Sequence, residues 1–215
     1  MKSLWLAVVA LAFALQAGAE SDAVVKVDFS NPGLYPAQWT LSLHPDGSGH
    51  FHAEGGVPPE KDTISPARID RDVKLGEGFT SHIFQTVRDP RVMNGKCESH
   101  LKVAFQGLKR ISYHGPDGEG GCEFNYSTNK QIQDLGDSLV AVGSTLIEGA
   151  RLELLYQHDP LGLDQAIQYV VEASDDGRLQ QICAIRGILE RLEDDPRVLD
   201  RVRKRARLLL ARAGS

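Results

Sequence analysis

Three histidines lie close together near the start of the chain, and their type and spacing suggest chemistry. The stretch LHPDGSGHFH, residues 43–52, contains His44, His50 and His52. Neutral imidazole is a ligand for Zn²⁺ and Cu²⁺, and protonation near pH 6.5 can place like charges together on a surface. The spacing therefore raises two possibilities, a metal site and a pH-dependent surface. Both require that the three rings share one face of a local structure.

A β-hairpin would place these histidines on one face. Pro45-Asp46-Gly47 fits a three-residue hairpin loop, with glycine in the left-handed position. This loop determines which residues pair across the hairpin: Ser42 with His50, Leu41 with Phe51, and Thr40 with His52. Because side chains alternate between the two faces of a strand, the apolar residues share the core face: Trp39, Leu41, Leu43 and Phe51. We therefore predict that His44, His50 and His52 share the solvent face as a candidate Zn²⁺ or Cu²⁺ site, which Asp46 or Glu54 could complete. The alternative is a polar strand face without a ligand.

A second short motif, GDSL at residues 136–139, lies inside a helical pattern. It resembles the nucleophile motif of the GDSL (SGNH) hydrolases, and the resemblance would make Ser138 a nucleophile. In that family the motif follows an apolar strand near the start of the catalytic domain, and a late Asp-x-x-His pair completes the site. Here the last histidine, His158, has Leu155 three residues before it. Because a serine nucleophile needs a base within reach, a turn of packed helix explains the motif better, and a hydrolase is the weakest alternative.

The chain contains three cysteines, Cys97, Cys122 and Cys183. Export to an oxidising compartment favours disulfide formation. Cys97 and Cys122 both lie in strand-like segments, and we predict that they pair, although three cysteines allow three pairings. Cys183 is then left either as a small buried apolar residue or as a free nucleophile or intermolecular bridge.

The first 19 residues predict export from the cytoplasm. Lys2 precedes an apolar run at residues 4–15, which is too short to span a bilayer, and Ala17-Gly18-Ala19 fits a signal-peptidase site. We expect cleavage after Ala19 and a soluble product in the periplasm or outside the cell, with no transmembrane span. The net charge of −5, together with export, argues against nucleic acid as a partner.

Apolar periodicity predicts an α+β fold in two parts. In the region 20–127, alternating residues predict strands or extended segments, listed in chain order as 23–29, 38–43, 50–54, 97–107, 109–115 and 122–127. A loop is expected at 55–69, and one inserted helix at 78–90. From residue 128 to 215 the apolar spacing alternates between three and four and predicts about four helices. This helical region either packs on the antiparallel sheet or forms a separate domain.

These patterns favour an exported, non-catalytic protein that binds an unidentified protein or envelope partner. The first alternative is a metal-binding protein that uses the three histidines to hold Zn²⁺ or Cu²⁺. An enzyme is less favoured, because no catalytic set is recognisable. The last helix is rich in arginine and could contact an acidic lipid or partner, although a solvated face paired with neighbouring acids explains it as well.

Overall fold

The computed structural model describes residues 23–58, 64–93 and 97–213, so the predicted signal peptide, residues 1–19, lies outside the described residues. The first half forms one antiparallel sheet of six strands in the order β4-β3-β2-β1-β5-β6. The strands are β1 (Val24–Ser30), β2 (Gln38–Leu43), β3 (Ser48–Glu54), β4 (Arg68–Lys74), β5 (Leu108–Gly115) and β6 (Gly118–Phe124). The first four strands form a meander, and the β5–β6 hairpin joins it beside β1.

In the described residues, two α-helices lie between β4 and β5, and four α-helices and one short 3₁₀-helix (Ile182–Ile185) follow the sheet. The α-helices are α1 (Glu77–Val87), α2 (Pro90–Met93), α3 (Lys130–His158), α4 (Leu163–Asp175), α5 (Arg186–Asp194) and α6 (Asp200–Ala213). The predicted α+β class, with an inserted helix after the first strands and about four helices at the end, is confirmed. Within the described ranges, none of the helices combines the length and hydropathy needed to cross a bilayer.

The β2–β3 hairpin has the predicted register. Ser42 pairs with His50, and Thr40 pairs with His52. In the turn, the Asp46 carboxylate accepts hydrogen bonds from the backbone N–H and the hydroxyl of Ser48, at 2.9 and 2.6 Å, and these bonds lower the pKa of Asp46 to about 2. Gly47 has a φ of 82°, which is the left-handed conformation that glycine adopts without strain. Local turn chemistry therefore sets which side chains face solvent.

Two predictions for the connecting segments were wrong. The predicted loop at 55–69 ends in a strand, β4, which begins at Arg68 and forms one edge of the sheet. The segment 97–107, predicted as extended, has no regular secondary structure. Its backbone is instead tied to the end of β6, where the N–H of Ser99 donates to the carbonyl of Tyr126 at 2.9 Å.

Helix α3 packs across one face of the sheet, and the sheet and the helices share one hydrophobic core. Glycines in α3 allow this close approach, because a Cβ at Gly143 would lie 2.7 Å from the ring of Trp39. The predicted Cys97–Cys122 disulfide is present, with both cysteines buried. The opposite face of the sheet is left uncovered by the part of the chain that the structure describes, and its side chains are exposed or half-buried.

Candidate functional site

The uncovered side of the sheet is mainly polar over its central strands, and we refer to it as the open face. It includes the apolar Val24 and these polar side chains that point away from α3: Lys26, Asp28, Gln38, Thr40, Ser42, His50, His52, Glu54, Asp70, Asp72, Arg110 and Ser112. An antiparallel sheet positions them well, because neighbouring strands bring same-face side chains within about 5 Å of each other. The open face therefore combines acidic, basic and neutral hydrogen-bonding groups on a rigid support.

Two histidines of β3 are paired with carboxylates of β4. His50 Nδ1 lies 3.0 Å from Asp72 Oδ1, and its Nε2 lies 3.1 Å from Asp70 Oδ1. His52 Nδ1 lies 3.0 Å from Asp70 Oδ2, and its Nε2 lies 3.2 Å from Glu54 Oε2. The Asp70 carboxylate thus bridges the two rings. We call these five residues the histidine–carboxylate ladder.

The ladder favours the charged form of His50. An ionised carboxylate only accepts hydrogen bonds, so carboxylates at both ring nitrogens are satisfied only when the ring carries two protons. The hydrogen bond with Asp72 and the negative charge of Asp70 raise the pKa of His50. The pKa of Asp70 is lowered, chiefly by its hydrogen bond with His52. Because exposed ion pairs contribute little to stability, the main effect of the ladder is on the charge of the open face.

A cavity of about 330 Å³ lies on the open face beside the ladder. Its lining combines polar residues, namely Asp28, Ser30, Gln38, Thr40, His52, Glu54 and Arg110, with the apolar residues Phe29, Trp39 and Leu108. Some of them are held in place, since the Thr40 hydroxyl donates to Asp28 Oδ1 at 2.8 Å and Arg110 Nε donates to Glu123 Oε2 at 2.6 Å. The volume falls at the lower end of the range for small-molecule sites.

The predicted metal ligands are brought together only in part. His50 and His52 lie side by side on β3, whereas His44 lies beyond the end of β2 and takes no part in the contacts of the ladder. In the described ranges, no group of three or more His, Cys, Asp or Glu side chains has an arrangement that could hold a metal ion. Metal binding by His44, His50 and His52 stays a prediction.

Sequence reasoning missed Asp70 and Asp72, which are the partners of the histidines. Both lie in RIDRDVK, residues 68–74, where charged residues alternate with the apolar Ile69 and Val73 except at Arg71. Such alternation is typical of a strand with one wet face. The acidic side chains of this segment also complement the histidines of HFHAE, residues 50–54, which further indicates that the two segments pair.

The other two candidates lie elsewhere in the fold. Ser138 lies inside α3, and Gly136 of the same motif packs against Phe124, which fits the interpretation as a packed helix turn. Cys183 carries a free thiol and is half-buried, with its Sγ 3.6 Å from the side-chain oxygen of Gln181.

We expect His50 to titrate above its ordinary pKa of about 6.5, and Asp72→Asn to move this pKa downward. Because the folded-state pKa is raised, the stabilisation by His50 is fully present below pH 6.5 and is lost as the pH rises through the folded-state value. For Asp70 the sign is opposite, and its stabilisation is lost as the pH falls through its lowered pKa.

NMR titration of the His50 ring measures the effect. Glu119→Gln, at the far edge of the sheet, is the matched control and should leave the His50 titration unchanged. If the pKa of His50 is the same in Asp72→Asn as in the wild type, the contact between His50 and Asp72 in the ladder is contradicted.

No family model and no curated protein matches the sequence, so comparison with known proteins does not assign a function to this site.

Proposed function

We propose that this protein is an exported, non-catalytic binding protein, and that its open face is the surface that contacts a polar ligand or an envelope partner. The observation that carries the proposal is an uncovered six-stranded sheet whose charged side chains surround a cavity. Sites of this kind use a few fixed polar groups to orient a ligand. Around this cavity, Arg110 and Gln38 supply donors, and Asp28 and Glu54 supply acceptors.

The chemistry of the ladder fits binding better than turnover. A general base needs an unprotonated nitrogen within reach of a substrate proton. The ring nitrogens of His50 and His52 already face Asp70, Asp72 and Glu54. The ladder therefore presents a set of charges whose balance changes with pH, and protonation makes the open face more positive.

The proposed location rests on two observations. Residues 1–19 have the pattern of a secretory signal peptide, which we propose is cleaved after Ala19. The Cys97–Cys122 disulfide is typical of proteins that fold in an oxidising compartment. The mature protein would then act in the periplasm or outside the cell.

The arginine-rich helix α6 is the less favoured contact surface. Its basic side chains already pair with acids of the same chain: Arg201 and Arg205 with Asp164, Arg207 with Glu193, Lys204 with Asp200, and Arg212 with Asp175. An acidic lipid or partner would have to compete with these ion pairs.

A metal-binding function is the second candidate, because His50 and His52 lie side by side on β3 with Asp70 beside them. These side chains would have to rearrange to bind a metal ion, since no group of the described residues has the required arrangement. Imidazole nitrogen and carboxylate oxygen together form a ligand set that suits Zn²⁺. Binding would require both rings to be deprotonated at the coordinating atom, so it would compete with the ladder in its protonated form.

The two candidates are separated by native mass spectrometry of protein that has been exported and purified without a nickel column. The open-face proposal predicts a non-metal adduct or a partner chain on the wild type. Thr40→Trp, which fills the cavity, should lose it. Ser112→Trp, on the open face but outside the cavity lining, is the matched control and should retain it.

Each other outcome counts against the leading proposal. A bare protein mass for the wild type, or an adduct that Thr40→Trp retains, rejects the cavity as the binding site. A stoichiometric Zn²⁺ or Cu²⁺ adduct that disappears in the His50→Ala, His52→Ala double variant establishes the metal candidate instead. Turnover in a hydrolase screen that is lost on Ser138→Ala would show that the protein is an enzyme.

A further inference from the structure

An exposed apolar loop projects from the edge of the sheet opposite to the ladder. Leu101, Val103 and Phe105 have exposed fractions of 56%, 40% and 57%, and they alternate along a segment without regular secondary structure. We call residues 101–105 the apolar loop. Single exposed apolar residues are common on protein surfaces, but three of them occur here within five consecutive residues.

The loop is anchored firmly at both ends. The Asn125 side chain donates from Nδ2 to the carbonyl of Ala104 at 3.2 Å and accepts the N–H of Gln106 at 2.7 Å. Before the loop, Glu98 accepts the N–H of Asn125 at 2.7 Å and the N–H of His100 at 3.1 Å. The Cys97–Cys122 disulfide ties the same stretch to β6. These bonds hold the backbone in place, so the apolar side chains stay outside the core.

The charge around the apolar loop is basic. His100 and Lys102 lie next to the apolar residues, and no acidic residue occurs from residue 99 to 110. The nearest acid along the chain, Glu98, is turned toward backbone N–H groups, and these hydrogen bonds lower its pKa. Apolar side chains beside a lysine and without a neighbouring acid match the interface of a bilayer that contains anionic lipid.

The small size of the patch also favours lipid over protein. Specific protein–protein interfaces bury about 1,200–2,000 Å² in total, and three half-exposed side chains provide only a small part of that area. A bilayer interface sets no such minimum, because each apolar side chain that enters it contributes separately. We propose that the apolar loop attaches this protein reversibly to the surface of an anionic lipid bilayer through Leu101, Val103 and Phe105.

Vesicle sedimentation tests this proposal with the exported protein. The probes are vesicles of phosphatidylglycerol mixed with phosphatidylethanolamine, and vesicles of phosphatidylcholine alone. We expect binding to the anionic vesicles, weakened by salt, and at least a tenfold loss of binding in the Leu101→Ser, Phe105→Ser double variant. Leu161→Ser is the matched control, since Leu161 is 81% exposed and lies in a distant turn. Lys102→Glu should weaken binding to the anionic vesicles and should not change binding to the phosphatidylcholine vesicles.

Three results would overturn the proposal. The first is that the wild type does not sediment with anionic vesicles. The second is that the wild type and the double variant bind equally well. The third is a concentration-dependent dimer, seen by analytical ultracentrifugation and lost in the double variant, which would assign the loop to self-association. Circular dichroism verifies that each variant is folded. Because Leu101, Val103 and Phe105 do not line the cavity of the open face, failure here leaves the Thr40→Trp result unaffected.

Discussion

Replacement of both Cys97 and Cys122 by alanine is expected to lower the free energy of unfolding by about 3 kcal/mol. The disulfide joins residues 25 positions apart, and a cross-link over a loop of that length removes about this much conformational entropy from the unfolded chain. Both side chains are buried, so the alanines also leave a small gap in the core. Urea unfolding followed by the fluorescence of Trp39, which is buried beneath α3, measures the loss.

Cys183→Ala provides the matched control for this prediction. Cys183 is half-buried and carries a free thiol, and we expect its replacement to change stability by no more than about 0.5 kcal/mol. Reduction of the wild type should reproduce the stability of the double variant, and reduction of the double variant should have no effect. Equal stability of the wild type and the double variant would mean that the bridge does not form.

The hairpin that carries the histidines could be predicted because its determinants are local. The turn at residues 45–47 and the alternation of apolar residues on either side set the register. A shift of one residue would turn every core side chain of the hairpin toward solvent. The exposure of His50 and His52 follows directly from that register.

The partners of these histidines could not be predicted from local sequence. Strand β4 lies at the edge of the sheet and buries only Ile69 and Val73, so its apolar pattern is weak. It joins β3 across a connection that includes residues 55–67, and only the tertiary pairing places Asp70 between the two rings. The ladder therefore depends on the order of strands in the sheet, which short-range periodicity does not encode.

The segment 97–107 shows how alternation can mislead. Leu101, Val103 and Phe105 have strand-like spacing, but a strand also needs a partner with free backbone groups. Side-chain and backbone groups of Asn125 and Tyr126 satisfy several N–H and carbonyl groups of this segment instead. The apolar residues consequently lie outside the core, where they suggest a contact surface.

The contact between α3 and the sheet makes a second prediction with a large effect. Gly143→Ala should lower the free energy of unfolding by about 2 kcal/mol. Its Cβ would lie 2.7 Å from two atoms of the Trp39 ring, and Trp39 is itself stacked on Phe29 at 5.1 Å between ring centres. Overpacking of a tight core costs about 1–3 kcal/mol, and this cost exceeds the gain of up to about 1 kcal/mol from replacing glycine inside a helix.

Gly187→Ala is the matched control, and it should change stability in the opposite direction. Gly187 lies in α5, is exposed, and has open space where a Cβ would be added. Only the conformational effect of the substitution then remains, and we expect a stabilisation of about 0.5 kcal/mol. Chemical denaturation of the two variants compares the same change of residue with and without the close contact. If both alanines stabilise the protein, α3 does not approach Trp39 as closely as the structure shows. Opposite signs would establish that a glycine at position 143 is required for the close packing of α3 on Trp39.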